Sequence, residues 1–169
     1  MMRTMMPVLA LSMAMLAGTQ AKADDAVLRE GDQAPDFKAK GDDGHVYALE
    51  KMKGEYIVLY FYPKDDTPGC TVEAQGFRDE TLKFKKKKVA VLGVSLDDAD
   101  SHRAFRDKYK LNFPLLVDGA KIAEAYRVPT TGGYAARQTF IIGRDGKLLK
   151  IFREVKPKGH AAEILTLLK

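Results

Sequence analysis

The run Tyr56-Ile-Val-Leu-Tyr-Phe-Tyr62 constrains the fold more than any other stretch of this chain. A near-continuous series of β-branched, aliphatic and aromatic residues describes a central strand buried on both faces. Such a strand needs covering layers above and below it, and helices are the usual cover. Pro63 ends the strand, because proline has no N–H to donate to the ladder. A turn-rich loop follows, and a helix is expected from Thr71 to about Lys85, with Val72, Phe77, Leu82 and Phe84 in imperfect apolar register.

The rest of the chain supplies layers of the same kind. Ala39 to Leu49 reads as a hairpin turning at Asp43-Gly44. Val89 to Leu96 is a second buried strand, and Ser101 to Tyr109 a helix capped by Ser101 or Asp100. Phe113 to Val117 is extended, Lys121 to Tyr126 a short helix, and Thr139–Ile142 with Leu148–Phe152 a hairpin around Asp145-Gly146. A helix from His160 to Leu168 closes the series. Strands alternating with helices before a final hairpin predict an α/β protein with a mixed central sheet flanked by helices and an N-terminal β-hairpin; a thioredoxin-like fold fits that order, as other α/β architectures also do.

The first residues are set aside from this fold. Arg3 gives a positive start, Met5 to Ala17 is apolar apart from Pro7 and Ser12, and Ala21-Lys22-Ala23 offers small residues where a signal peptidase reads. That apolar stretch is shorter than the roughly 20 residues of a membrane span. Residues 1–23 are expected to be a signal peptide and 24–169 one domain, exported to a bacterial periplasm without stable membrane association after cleavage. Removing Arg3 and Lys22 from the 28 basic residues leaves 26 against 23 acidic ones, a net charge of +3. So small an excess gives no argument for nucleic acid, and the dense run Lys85-Lys86-Lys87-Lys88 reads as a solvated helix end.

Cys70 is the only cysteine, so no intrachain disulfide exists, and an odd cysteine in an exported chain is a free reactive thiol or an intermolecular partner. A helix beginning at or just after Cys70 places the sulfur beside unpaired backbone N–H groups and the positive end of the helix dipole, which favour thiolate over thiol. The same amides, Gly69 and Cys70 among them, suit the oxygen of a bound substrate. The Thr67 hydroxyl is placed to donate to the sulfur or that oxygen, and Pro63 to wall off one side of the pocket. His45, His102 and His160 lack metal-ligand spacing and read as surface or loop residues, so no metal or other cofactor is called for. Pro129-Thr-Thr-Gly-Gly133 reads as a loop, and Tyr60 and Tyr62 as core and pocket wall.

Pro63, Thr67 and Cys70 match the Pro-x-x-x-Thr-x-x-Cys motif of peroxiredoxins. The wider Tyr60-Phe-Tyr-Pro-Lys-Asp-Asp-Thr-Pro-Gly-Cys-Thr-Val-Glu73 resembles the bacterioferritin comigratory protein/peroxiredoxin Q subfamily. The likeness begins at Gly31-Asp-Gln-Ala-Pro-Asp-Phe37 and continues through Val117-Asp118 and Arg137-Gln-Thr-Phe-Ile-Ile-Gly-Arg-Asp-Gly146. This resemblance implies a thiol peroxidase in which Cys70 attacks a hydroperoxide and becomes a sulfenic acid. It also implies that Arg137 comes beside Cys70, with Glu73 orienting it or touching substrate. Many members carry a second cysteine five residues after the first; Gln75 stands there in this chain. A one-cysteine cycle follows, with an external thiol reductant, either a thioredoxin-like protein or a low-molecular-weight thiol. By the same resemblance the protein is a monomer or a weak homodimer.

Two other functions fit an exported thioredoxin-like scaffold. A thiol-disulfide oxidoreductase would carry Cys-x-x-Cys, where this chain has Cys70-Thr-Val-Glu73. A non-catalytic binding or chaperone-like protein would leave Cys70 dispensable and Thr67 and Arg137 without a role.

Overall fold

The computed structural model describes residues 27–168; the expected signal peptide lies outside them. A five-stranded sheet forms the centre. It contains β3 (Tyr56–Phe61), β4 (Val89–Val94), β5 (Leu115–Leu116), β8 (Gln138–Ile142) and β9 (Leu148–Phe152), in the order β5-β4-β3-β8-β9. Strand β3 runs parallel to β4 and antiparallel to β8, which makes the sheet mixed. Its alternation sends Ile57, Leu59 and Phe61 to one core and Val58 and Tyr60, with Tyr62 just beyond, to the other.

The first core is shared with Phe140, Ile142 and Tyr126, and is covered by α4 (Gly119–Ala125) and the N-terminal hairpin of β1 (Lys38–Lys40) and β2 (Val46–Ala48). The second lies under α1 (Pro68–Asp79), α2 (Thr81–Lys86), α3 (Ala99–Tyr109) and α5 (His160–Leu167). The two-sided cover that the Tyr56–Tyr62 run demands is present.

Several elements differ from expectation for local reasons. The helix expected over Thr71–Lys85 starts at Pro68 and divides at Glu80. Proline costs nothing at a first helical position, where its missing N–H would have no partner. At the division Thr81 turns its hydroxyl onto the Phe77 carbonyl (3.2 Å) and Asn112 (2.6 Å), local bonding that competes with helix continuation. Leu82, expected on the apolar side, is left exposed. Helix α3 is capped by Asp98, whose carboxylate accepts from the Ser101 amide at 2.9 Å, rather than by Ser101 or Asp100. Part of the Pro129–Gly133 segment, read as loop, belongs to a small hairpin of β6 (Thr130–Thr131) and β7 (Tyr134–Ala135), with both intervening glycines at positive φ.

The largest correction concerns histidine. His45 is exposed as expected, but His102 and His160 are 0% and 1% exposed. Their hydrogen-bond partners, Asp65 and Thr139, lie 37 and 21 residues away, beyond the reach of local reading. Among the described residues no helix is long and apolar enough to cross a membrane.

Candidate active site

Cys70 is the third residue of α1 and is buried. The first turn of a helix has amides without intrahelical partners. Pro68 has no N–H, and the Thr71 amide bonds to the Thr67 carbonyl at 2.8 Å, so Gly69 and Cys70 supply the outward-facing donors. The positive end of the helix dipole coincides with them, and both influences favour an anionic sulfur.

Arg137 reaches this point from the residue before β8. Because β8 pairs with β3, Arg137 emerges at the same end of the sheet as the loop following β3. Its Nη2 donates to Cys70 Sγ at 3.3 Å, and its Nη1 pairs with the Glu73 carboxylate. Spacing explains the second contact: Glu73 lies three residues after Cys70, hence on the same helix face. Burial lowers the affinity of the Arg137 guanidinium for its proton, but Glu73 and Cys70 outweigh this and hold it above its ordinary value. Glu73 is buried, and its carboxyl is pushed up to about 7 by that burial, with Arg137 pulling the other way. One carboxylate oxygen, Oε1, has no hydrogen-bond partner.

Gly69 lies close to the guanidinium. A β-carbon there would stand 3.3 Å from Arg137 Nη2 and 3.8 Å from Pro157, crowding the guanidinium. The Thr67 hydroxyl donates to the Lys64 carbonyl at 3.0 Å and not to the sulfur. Asp66, at φ 56°, turns the loop so that this hydroxyl meets the chain three residues back. Pro63 is half-buried at the strand's end.

A family model described as the AhpC/TSA family matches residues 30–151. The chain belongs to this family. It is a peroxiredoxin of the Bcp/peroxiredoxin Q kind, a thiol peroxidase, and its fold is thioredoxin-like. It is 46% identical over 147 residues to peroxiredoxin Bcp of Bacillus subtilis, covering 82% of this chain and 94% of that one. Against chloroplastic peroxiredoxin Q of Suaeda salsa the identity is 42%, over 85% of this chain and 69% of the relative. Among solved structures, PrxQ of Xylella fastidiosa superposes with a TM-score of 0.78 at 30% identity, covering 83% of this chain and 95% of that one.

In this peroxiredoxin the structure brings Cys70, Gly69, Glu73 and Arg137 into one cluster, with Thr67 at its edge. Glu73, expected to orient Arg137 or to touch substrate, pairs with Arg137. Sequence reasoning missed the buried Asp65 and the bonds that Ser101 and His102 each make to its carboxylate. The available signal was the pair Asp65-Asp66 inside an otherwise apolar and turn-forming stretch.

Proposed function

We propose that this peroxiredoxin reduces hydrogen peroxide and organic hydroperoxides by a one-cysteine cycle, outside the cytoplasm. The Cys70 thiolate attacks one peroxide oxygen, and the O–O bond breaks. The departing hydroxide or alkoxide takes a proton and leaves as water or alcohol, while the sulfur becomes a sulfenic acid. Arg137 and the amides of Gly69 and Cys70 hold the oxygens on which charge develops. Glu73 orients Arg137, Thr67 steadies the loop and contacts the peroxide, and Pro63 closes one wall.

An external thiol then attacks the sulfenic sulfur, releasing water and leaving a mixed disulfide that a second thiol reduces. No second cysteine exists in the chain to take that part. The observation that carries this reading is Arg137 Nη2 at 3.3 Å from a cysteine sulfur in the first turn of a helix. Export rests on the leader features of residues 1–23, with cleavage after Ala23, and the working form is a monomer or a weak homodimer.

The test follows hydrogen peroxide loss with dithiothreitol as donor, using residues 24–169 beside the Cys70→Ser variant. Turnover abolished by the substitution, with a trapped sulfenic acid on the native thiol, is the expected result. A native thiol no faster than free cysteine overturns the reading. Fractionation of cells, with N-terminal sequencing expected to begin at Asp24, checks export.

A further inference from the structure

The loop that carries the chain from β3 into α1 is tied down by a buried carboxylate with no part in the reaction just described. Asp65 is 6% exposed. Its Oδ1 accepts from the Tyr62 hydroxyl at 2.7 Å, and its Oδ2 takes Ser101 Oγ and His102 Nδ1, each at 2.8 Å. Its amide donates to Asp97 Oδ2 at 2.9 Å, an oxygen that also accepts from Ser95 Oγ at 2.7 Å. The end of β3, the turn after β4 and the first turn of α3 therefore converge on one residue.

Asp66 points the other way. Its carboxylate meets Lys108 Nζ at 2.6 Å and the Tyr109 hydroxyl at 2.5 Å, in the last turn of α3. Consecutive carboxylates thus fasten the loop to both ends of one helix. The inner fastening is the stringent one, since it is buried and a carboxylate is an acceptor that satisfies several donors at once. The outer pair is exposed and is worth little by itself.

Placement of the thiol depends on this fastening. Arg137 arrives from β8, whereas Thr67, Gly69 and Cys70 arrive through the loop. The two halves of the site meet correctly only if the loop is set with respect to the sheet, and misplacement by about 1 Å can cost ~100-fold in rate. We propose that Asp65 and His102 are positioning residues. Their hydrogen bond sets the loop so that Thr67 and the Gly69 and Cys70 amides fall on the oxygen held by Arg137. This rests on the peroxidase reading and adds to it a determinant outside the pocket, on α3.

The test compares His102→Leu, which removes the ring N–H, with His102→Asn, whose amide N–H can stand in for Nδ1–H. Two rates are measured on Cys70: single-turnover oxidation by hydrogen peroxide, which needs oriented oxygens, and alkylation by iodoacetamide, which needs only an accessible thiolate. His102→Leu is expected to slow oxidation about 10-fold or more while alkylation changes less than ~3-fold, with His102→Asn recovering most of the loss. Urea unfolding of each variant separates stability from rate. Should His102→Leu not fold, Ser101→Ala withdraws one donor from the same carboxylate, with about a 3-fold slowing of oxidation alone expected. Oxidation and alkylation changing in parallel, or an asparagine variant no faster than the leucine one, overturns the positioning role. A slow wild-type thiol overturns the peroxidase reading and this inference together; a fast wild type with an equally fast His102→Leu overturns this inference alone.

Discussion

The two faces of β3 are built to different ends. Ile57, Leu59 and Phe61 look into a cluster with Phe140, Ile142 and Tyr126, where the Tyr126 hydroxyl is satisfied by the Pro35 carbonyl at 2.8 Å. Val58, Tyr60 and Tyr62 look the other way, toward Cys70, Phe77 and Phe105. On that side lie buried Glu73, Asp65 and His102, and the His160–Thr139 hydrogen bond of 2.9 Å. Both faces stabilise by removing apolar surface from water, which is non-directional. The second accepts the cost of burying polar groups because hydrogen bonds and ion pairs fix where a side chain stands. Placement of the thiol is concentrated on the second face, and substitutions can separate it from stability.

Arg137→Ala on the second face has the largest expected effect. It removes the donor to sulfur, and peroxide oxidation of Cys70 should fall by about 100- to 1000-fold. Stopped-flow oxidation measures it, and a change below ~3-fold would erase the proposed distinction for this residue.

Phe140→Ala on the first face should do the reverse. It opens a cavity in the cluster with Phe61 and Tyr126, costing about 3–5 kcal/mol in urea unfolding. The oxidation rate per folded molecule should stay near wild type, and loss of reactivity without loss of stability would contradict the division.

Glu73 sharpens the comparison through pH. Burial raises its carboxyl from the ordinary 4.5 to about 7, so the folded protein binds its proton more tightly than the unfolded chain does. The stability this supplies is complete below 4.5 and is lost as pH rises through about 7. Relative to Glu73→Gln, the wild type should therefore lose stability across that window, by no more than ~1.4 kcal/mol per pH unit. Parallel stability curves for the two proteins would show that the carboxyl does not titrate there.

Gly69→Ala is the mildest change. The added methyl presses on Arg137 Nη2 and should slow oxidation by about 3- to 10-fold, with stability altered by less than ~1 kcal/mol. An unchanged rate would mean that the guanidinium yields without leaving the sulfur.

Much of this was legible before any coordinates. The apolar run ending at Pro63 implied a strand covered on both faces, and the strand–loop–helix order placed Cys70 at the start of a helix, which in fact begins two residues earlier at Pro68. The resemblance around Thr67 to Glu73 and Arg137 led to the family. These features are local, or they repeat a long and ordered pattern of residues. The division of α1 from α2 was less legible, because Thr81 prefers a bond to Asn112, thirty-one residues away.

Sequence by itself excluded an internal disulfide, since the chain has a single cysteine, and it singled out that cysteine as the candidate for the chemistry. It also determined the layered α/β architecture, because hydrophobic periodicity and turn residues act over a few positions. Tertiary structure alone decided how the thiol is held: Arg137 against Cys70 across 67 residues, and His102 against Asp65 across 37. Those distances along the chain close only when β8 pairs with β3 and the start of α3 meets the loop after β3. The residues beside the sulfur show which groups are available, but not the distant partners to which they bond.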